Sequence, residues 1–281
     1  MSSILTNNSA MVALQTLKTI NNDLEKTQSA ISTGKDVGSA KDGSAVWAIS
    51  RVMETDVAGF EAVSDALSLG ESTVSVASAA SEQVVNVLEE IKGLAISASS
   101  ENVDFAKVQA DIDERVAQVS SIIGAAQFNG ANLLATDVDG NGASSLSIVS
   151  SLDRVGSAAP TTSTIAVDTV DFEADIDLAS NLTAITDTAT AATALGEIET
   201  FLQTAIDGAA ALGASSKRIG DQNSFVGKLT DAMKSGIGSL VDADMEAASA
   251  RLQALQTQQQ LGVQALSIAN QAPQTIMSLF R

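Results

Sequence analysis

Apolar and small residues recur at alternating steps of three and four near both ends of the chain. Near the N-terminus the repeat comprises Ala10, Ala13, Leu17, Ile20, Leu24, Thr27 and Ile31. Near the C-terminus it comprises Val241, Met245, Ala248, Leu252, Leu255, Gln259, Gly262, Leu266, Ala269, Pro273, Ile276 and Phe280. This spacing is typical of a coiled-coil seam. The sequence therefore predicts a long helix at each end.

The C-terminal repeat is unusually poor in charge for a surface helix. From Leu252 onward Arg281 is the single charged residue, and glutamines stand where charges are expected. Two arrangements fit: an intramolecular helical hairpin with an amide-rich exterior, or terminal helices buried by other copies of the protein. We favour burial by other copies. The predicted self-assembly core is formed by nine apolar residues of the two seams, which are Leu17, Ile20, Leu24, Ile31, Leu252, Leu255, Leu266, Ile276 and Phe280.

The middle of the chain has the same periodicity over longer stretches. A repeat from Ile49 to Ala95 predicts one helix of about 55 residues, which at 1.5 Å per residue is about 80 Å long. A further helix is predicted from Phe105 to Ala126, and the turn dipeptide Asn129-Gly130 follows Phe128. Helical spacing resumes at Leu195 and continues to Ile237.

Residues 131–194 differ in composition from the rest. Over residues 131–200 there are 11 acidic residues, and Arg154 is the one basic residue. Apolar and acidic residues alternate over 170–178, which predicts a strand with one dry and one acidic face, and residues 145–149 are its candidate hairpin partner. We predict a small acidic part that contains β-structure.

Glycines divide the predicted helices. Gly34, Gly38 and Gly43 mark a joint at residues 35–43, and a one-residue slip in the repeat beside Gly236 and Gly238 marks a second joint at 235–240. The predicted fold is mainly α, a long coiled-coil or helical-bundle rod with paired terminal helices and a small β-hairpin. Its parts are a terminal domain (1–34 and 241–281), a helical domain (44–130 and 195–234) and the acidic outer part (131–194).

Composition argues against most enzyme classes. The 281 residues include no His and no Cys, so His-based triads, thiolate nucleophiles and the usual zinc sites are excluded. With 34 acidic and 15 basic residues the net charge is −19, which opposes nucleic-acid binding. We find no secretory signal at the N-terminus and no apolar run near the ~18 residues of a membrane span.

Candidate ligand sites are weak. Residues 137–142 begin like a calcium loop, but position 12 of that loop is Ile148 where a bidentate glutamate is required, so a plain turn is expected. Neither a phosphate-binding loop nor a dinucleotide fingerprint occurs, and we expect no cofactor, no metal and no catalytic residue. Residue chemistry points to an assembling structural protein.

Five short motifs stand out along the chain, and they are Ser32-Thr33-Gly34, Ser39-Ala40-Lys41-Asp42, Ala48-Ile49-Ser50, Phe128-Asn129-Gly130 and the long tail from Ala269 through Pro273 to Arg281. In these motifs the sequence resembles bacterial flagellin in its short form without large outer domains. The resemblance covers about residues 1–135 and 195–281. The runner-up is a hook–filament junction protein, and a helical enzyme is a distant third.

The resemblance implies a subunit that polymerises into the extracellular flagellar filament used for motility. It also implies terminal segments that are disordered in the monomer and order on polymerisation. Export would proceed through the flagellar type III apparatus without a cleaved signal. The implied partners are further copies of the chain, an export chaperone at the C-terminal helix, and the filament cap and hook-junction proteins, with no nucleic acid and no membrane.

Three positions depart from the family pattern. Asp36 stands where flagellins usually carry an arginine. In flagellins that the vertebrate innate receptor recognises, a glutamine and an arginine stand at Glu89 and Glu90, while Leu88, Ile91 and Leu94 keep the apolar pattern. The charge reversal at Glu90 predicts a poor agonist of that receptor.

Overall fold

A computed structural model describes residues 7–154 and 158–279, with side chains described as far as residue 271. The helices are α1 Asn8–Thr33, α2 Ser44–Ser97, α3 Phe105–Ala125, α4 Phe172–Asp175, α5 Leu178–Asn181, α6 Thr188–Val241 and α7 Met245–Leu279. The strands are β1 Gln127–Phe128, β2 Ala131–Asn132, β3 Ser145–Asp153 and β4 Thr161–Asp168. The expected fold class is confirmed, because the chain is mainly helical with a small β-hairpin and α1 packs on α7.

The chain divides into two compact units. The first comprises residues 1–57 and 232–281, and the second comprises residues 58–231.

In the first unit, α1 and α7 pack through the repeats seen in the sequence. Asn7 caps α1, because its side chain accepts a hydrogen bond from Ala10 N–H at 3.1 Å. At the other end Gly34 adopts φ +72° and donates its N–H to Ala30 O, which is a helix stop that favours glycine.

Backbone hydrogen bonds connect the segment that follows α1 to the segment between α6 and α7. Asp36 N–H donates to Val241 O at 2.8 Å, and Ala243 N–H donates to Gly34 O at 2.9 Å. A small apolar cluster of Val57, Ile237 and Val241 lies beside these bonds.

The prediction of a second joint at residues 235–240 is wrong. Helix α6 continues through those residues to Val241, and the break falls at residues 242–244. Gly236 and Gly238 are tolerated inside the helix, and Gly238 leaves space that the Asp242 carboxylate fills. Glycine lowers helix propensity by only about 1 kcal/mol, which packing overrides.

In the second unit, the buried stripes of α2, α3 and α6 form the core. Its fully buried members include Leu67, Leu88, Ile91, Ile112, Ile198, Leu212 and Ile219. Asn223 on α6 accepts from Ser64 Oγ at 2.7 Å and donates to Ser68 Oγ at 3.1 Å, both on α2. Asn223 and Ser64 are half-buried and Ser68 is exposed, so these bonds connect α2 to α6 at the margin of the core.

The β-hairpin pairs β3 with β4 in antiparallel fashion and is held by both long helices. Ile148 and Leu152 pack against α2 at Gly70 and Gly59. From α6, Arg218 donates to Ala166 O at 2.9 Å and Gln222 donates to Ser150 O at 2.8 Å. The candidate strand at 145–149 is thus confirmed and extends to Asp153.

The strand predicted over residues 170–178 is wrong, because the segment forms the short helices α4 and α5. Asp171 accepts from Ala174 N–H and Asp177 accepts from Ser180 N–H, so each carboxylate caps a helical turn. Phe172 and Ile176 are four residues apart and are both buried, a spacing that a helical turn satisfies as well as a strand does. The partner of β3 is the Thr-rich segment 161–168, and α6 begins at Thr188, seven residues before the predicted start.

Candidate self-assembly interface

The seam residues predicted as the self-assembly core lie largely inside the α1–α7 pair. Leu255 is buried, and the others that the structure describes are half-buried. Gly262 admits α1 closely, since a Cβ there would lie 2.9 Å from Leu17 Cδ1 and 3.8 Å from Ile20 Cδ1. The side chain of Ile276 and the whole of Phe280 lie outside the described residues. The intramolecular pairing that we weighed against burial by other copies is therefore present within one chain.

Amide groups supply hydrogen bonds between the two helices. Asn7 Nδ2 donates to Ala269 O at 2.8 Å, and Gln259 Nε2 donates to Asn21 Oδ1 at 2.7 Å. The contacting residue numbers increase along α1, from Asn7 to Asn21, while they decrease along α7, from Ala269 to Gln259. The two helices are therefore antiparallel. Neutral amides join the helices without the desolvation cost of a charge.

Large apolar side chains remain exposed on the outside of this pair. We call the six most exposed of those that the structure describes the outer apolar residues, and they are Met11, Val12, Leu14, Leu261, Val263 and Ile268. Ile268 is 69% exposed and Leu261 is 57% exposed, and these two are seven residues apart on one face of α7. From Leu252 to Gln271 the helix has no charged residue, so the surface around them is neutral.

The sequence analysis missed the outer apolar residues because it followed the seam alone. Their signal was present in the sequence, where isolated apolar residues stand off the seam of a helix without charge. A soluble surface helix usually shows polar or charged residues at such positions.

Charged groups gather in the first unit where α1 ends. Glu54 on α2 accepts from Lys35 Nζ at 3.2 Å and from Arg51 Nη1 at 2.6 Å, and Arg51 lies 5.6 Å from the Trp47 ring centre. Partial burial would raise the pKa of Glu54, but the hydrogen bonds and charges of Lys35 and Arg51 outweigh it and hold that pKa below its usual value. These contacts fasten the segment after Gly34 to α2.

The residues predicted to correspond to the receptor epitope lie on α2 in the second unit. Leu88 and Ile91 are buried in the core, Leu94 is half-buried, and Glu89 and Glu90 are exposed. Glu90 pairs with Arg115 Nη1 on α3 at 2.7 Å. Both groups line a groove of about 660 Å³ between α2 and α3.

Neither a metal site nor a membrane span is found in the part of the chain that the structure describes. No group of three or more acidic side chains is placed to hold a metal ion there. None of the helices within residues 7–154 and 158–279 is both long and apolar enough to cross a membrane.

Both ends of the chain match known family models. The bacterial flagellin N-terminal helical region matches residues 4–139, and the bacterial flagellin C-terminal helical region matches residues 195–280. A flagellin of Brucella melitensis is 42% identical to this chain over 293 residues, and the alignment covers 100% of both proteins. Flagellin FljM of Caulobacter vibrioides is 40% identical over 285 residues, covering 100% of this chain and 99% of that protein.

A solved structure shares the fold. A flagellar hook-associated protein of Vibrio parahaemolyticus aligns with a TM-score of 0.50 at 12% identity, over 72% of this chain and 100% of that one. The full-length relatives are named flagellins, which favours the filament subunit over the junction protein. With both terminal regions matched and relatives similar over its whole length, the chain belongs to the bacterial flagellins, the structural subunits that polymerise into the flagellar filament.

Proposed function

We propose that the α1–α7 pair joins subunits through its outer apolar residues, while the seam residues named from the sequence hold the pair itself together. The observation that carries this proposal is the exposure of Leu261 and Ile268 on a helix face without charge. Among the seam residues whose side chains the structure describes, Leu255 is buried and the others are half-buried, so they offer a neighbour less apolar surface than the outer apolar residues do.

Burial of these side chains is expected to contribute a substantial favourable free energy to assembly. Full burial of an exposed Leu, Ile, Val or Met stabilises by about 1.5–3 kcal/mol. Six outer apolar residues per subunit therefore offset a substantial part of the entropy lost on association. Contacts that do not close into a ring extend into a helical filament.

We further propose that assembly rather than catalysis is the whole of its function, since the chain has no His and no Cys. The uncharged α7 surface is a liability before assembly, because exposed apolar side chains promote aggregation. A chaperone at the C-terminal helix, export by the flagellar type III apparatus, and contacts with cap and junction proteins complete the proposal. We also propose that the chain has the two domains predicted from its sequence. The terminal domain comprises residues 1–34 and 241–281, and the helical domain comprises residues 44–130 and 195–234.

The test compares substitutions on the two faces of α7. The double variant Leu261→Ser/Ile268→Ser should remain a helical monomer but fail to form filaments when salt is added, seen by negative-stain electron microscopy and sedimentation. The control Leu69→Ser/Ile96→Ser removes a Leu and an Ile of similar exposure from α2 and should still assemble. Filaments of normal length from Leu261→Ser/Ile268→Ser would refute the outer apolar residues as the contact.

A further inference from the structure

The sequence contains two Asn-Gly dipeptides, Asn129-Gly130 and Asn141-Gly142, and both asparagines are exposed. In such a pair the glycine nitrogen can attack the Asn side-chain carbonyl carbon, because glycine has no Cβ to obstruct the approach. The new C–N bond closes a cyclic imide and the side-chain amide leaves as ammonia. Water then opens the imide to aspartate or isoaspartate, so the reaction needs no other reactant.

The attacking nitrogen must lose its proton, and the surroundings of Gly142 oppose that loss. Gly142 N–H donates to Asp137 Oδ2 at 2.6 Å, and Ala143 N–H donates to Asp137 Oδ1 at 3.0 Å. The hydrogen bond from Gly142 N–H is the main reason that the pKa of Asp137 lies below its usual value, so this carboxyl is ionised at neutral pH. A carboxylate anion this close stabilises the N–H and destabilises the amide anion that must form.

The Asn141 residue is restrained as well. Its N–H donates to Asp139 Oδ1 at 3.0 Å, and its side-chain Nδ2 donates to Asp139 O at 3.1 Å. Attack on the side-chain carbon therefore requires that several hydrogen bonds break together.

Asn129-Gly130 has none of these restraints. It forms the turn between β1 and β2, with φ +50° at Asn129 and φ +84° at Gly130. Within residues 7–154 and 158–279, neither the Asn129 side chain nor the Gly130 N–H has a hydrogen-bond partner. The flanking strands pair over two residues each, so the ladder places few hydrogen bonds beside the turn.

We infer that Asn129 is a site of spontaneous deamidation in this protein, and that the Asp137 carboxylate protects Asn141 from the same reaction. The product adds a negative charge to the turn or, as isoaspartate, lengthens its backbone by one carbon. Asn129 lies four residues before the buried pair Leu133 and Leu134. This inference does not depend on how subunits assemble.

The test follows both sites in the full-length monomer by peptide mapping during incubation in mildly alkaline buffer. In the native protein Asn129 should convert at least about tenfold faster than Asn141, because the charge-assisted hydrogen bond to Asp137 restrains the Asn141 site alone. In denaturing urea the two rates should become similar, because both dipeptides then have the same local chemistry. Native rates that are equal, or faster at Asn141, would overturn the inference.

Two variants of equal charge test the protective role of Asp137. Asp137→Asn should raise the Asn141 rate about tenfold and leave the Asn129 rate unchanged. Asp168→Asn alters an exposed carboxyl on β4 and should leave both rates unchanged. An unchanged Asn141 rate in Asp137→Asn would show that the carboxylate protects nothing.

Discussion

At the scale of single residues, glycine sets how closely the elements of the second unit approach. A Cβ at Gly59 would lie 2.7 Å from Leu152 Cδ2, and a Cβ at Gly70 would collide with Ile148. At Gly208 the added carbon would meet Val170 and lie 2.5 Å from Cε1 of Phe172, whose ring is fully buried. These positions on α2 and α6 let the hairpin and the segment around α4 pack directly on helix backbone.

We predict that Gly208→Ala lowers stability by about 1–3 kcal/mol, because a buried aromatic ring has little room to move aside. The matched control is Gly213→Ala on the same helix, where nothing lies within 4 Å of the added carbon. That control should gain about 0.5–1 kcal/mol, since alanine favours helix over glycine. Denaturant unfolding followed by circular dichroism measures both, and equal shifts would contradict the packing argument.

Glu90 carries a second prediction at this scale, which concerns innate recognition. We expect this flagellin to need more than about ten times the usual agonist concentration in a reporter-cell assay, because Glu90 reverses the charge that an arginine presents in recognised flagellins. Glu90→Arg should improve signalling, whereas Glu89→Arg on the same turn should have a smaller effect. Full signalling by the unaltered protein at ordinary concentrations would remove the hypothesis.

At the scale of elements, α1 and α7 stabilise each other. Most of the stability of a helix in a protein comes from the packing of its apolar face, and the seams of α1 and α7 supply that packing to each other. Asn7 and Gln259 add hydrogen bonds from neutral side chains, so the pair keeps a surface that other neutral surfaces can cover.

Deletion of residues 252–281 should therefore leave a monomer that cannot polymerise. It removes most of α7, so Leu17 and Ile20 lose their packing partner and α1 is expected to unfold. Circular dichroism should show a loss of helix greater than the deleted residues account for. Filaments grown from the truncated chain would contradict the role of the terminal pair.

At the scale of the whole molecule, charge is divided very unequally. Residues 1–57 and 232–281 carry eight basic and nine acidic residues, a net charge of −1. Residues 58–231 carry seven basic and 25 acidic residues, a net charge of −18. Repulsion between subunits thus arises almost entirely in the second unit, and salt should screen it.

We predict that filaments form on addition of salt or ammonium sulfate, and that Asp65→Asn/Glu82→Gln lowers the salt concentration for half-polymerisation. Both side chains are exposed and belong to the acidic unit. The matched variant Glu25→Gln/Glu246→Gln makes the same charge change in the nearly neutral unit and should shift that concentration much less. Equal shifts in the two variants, measured by light scattering and electron microscopy, would contradict the unequal division.

Periodicity in the sequence was sufficient to predict the long helices and the seams of α1 and α7. An apolar stripe repeated over many turns has one stable arrangement, so α2, α3 and the phase of both terminal seams agree with prediction. Short-range signals were weaker. The alternation of apolar and acidic residues over 170–178 is compatible with a strand or with helical turns. The carboxylates of Asp171 and Asp177 cap two helical turns and so favour the helical arrangement.

The sequence by itself determined the helical class, the terminal seams, the charge imbalance and the flagellin motifs, because each is written in residue types and spacing. Tertiary structure decided which seam contacts which, and therefore which residues remain outside. Leu255 and Ile268 are similar in chemistry, yet one is 6% and the other 69% exposed. That difference arises when α1 covers one face of α7, and a pairing between segments more than 200 residues apart is not readable from either segment alone.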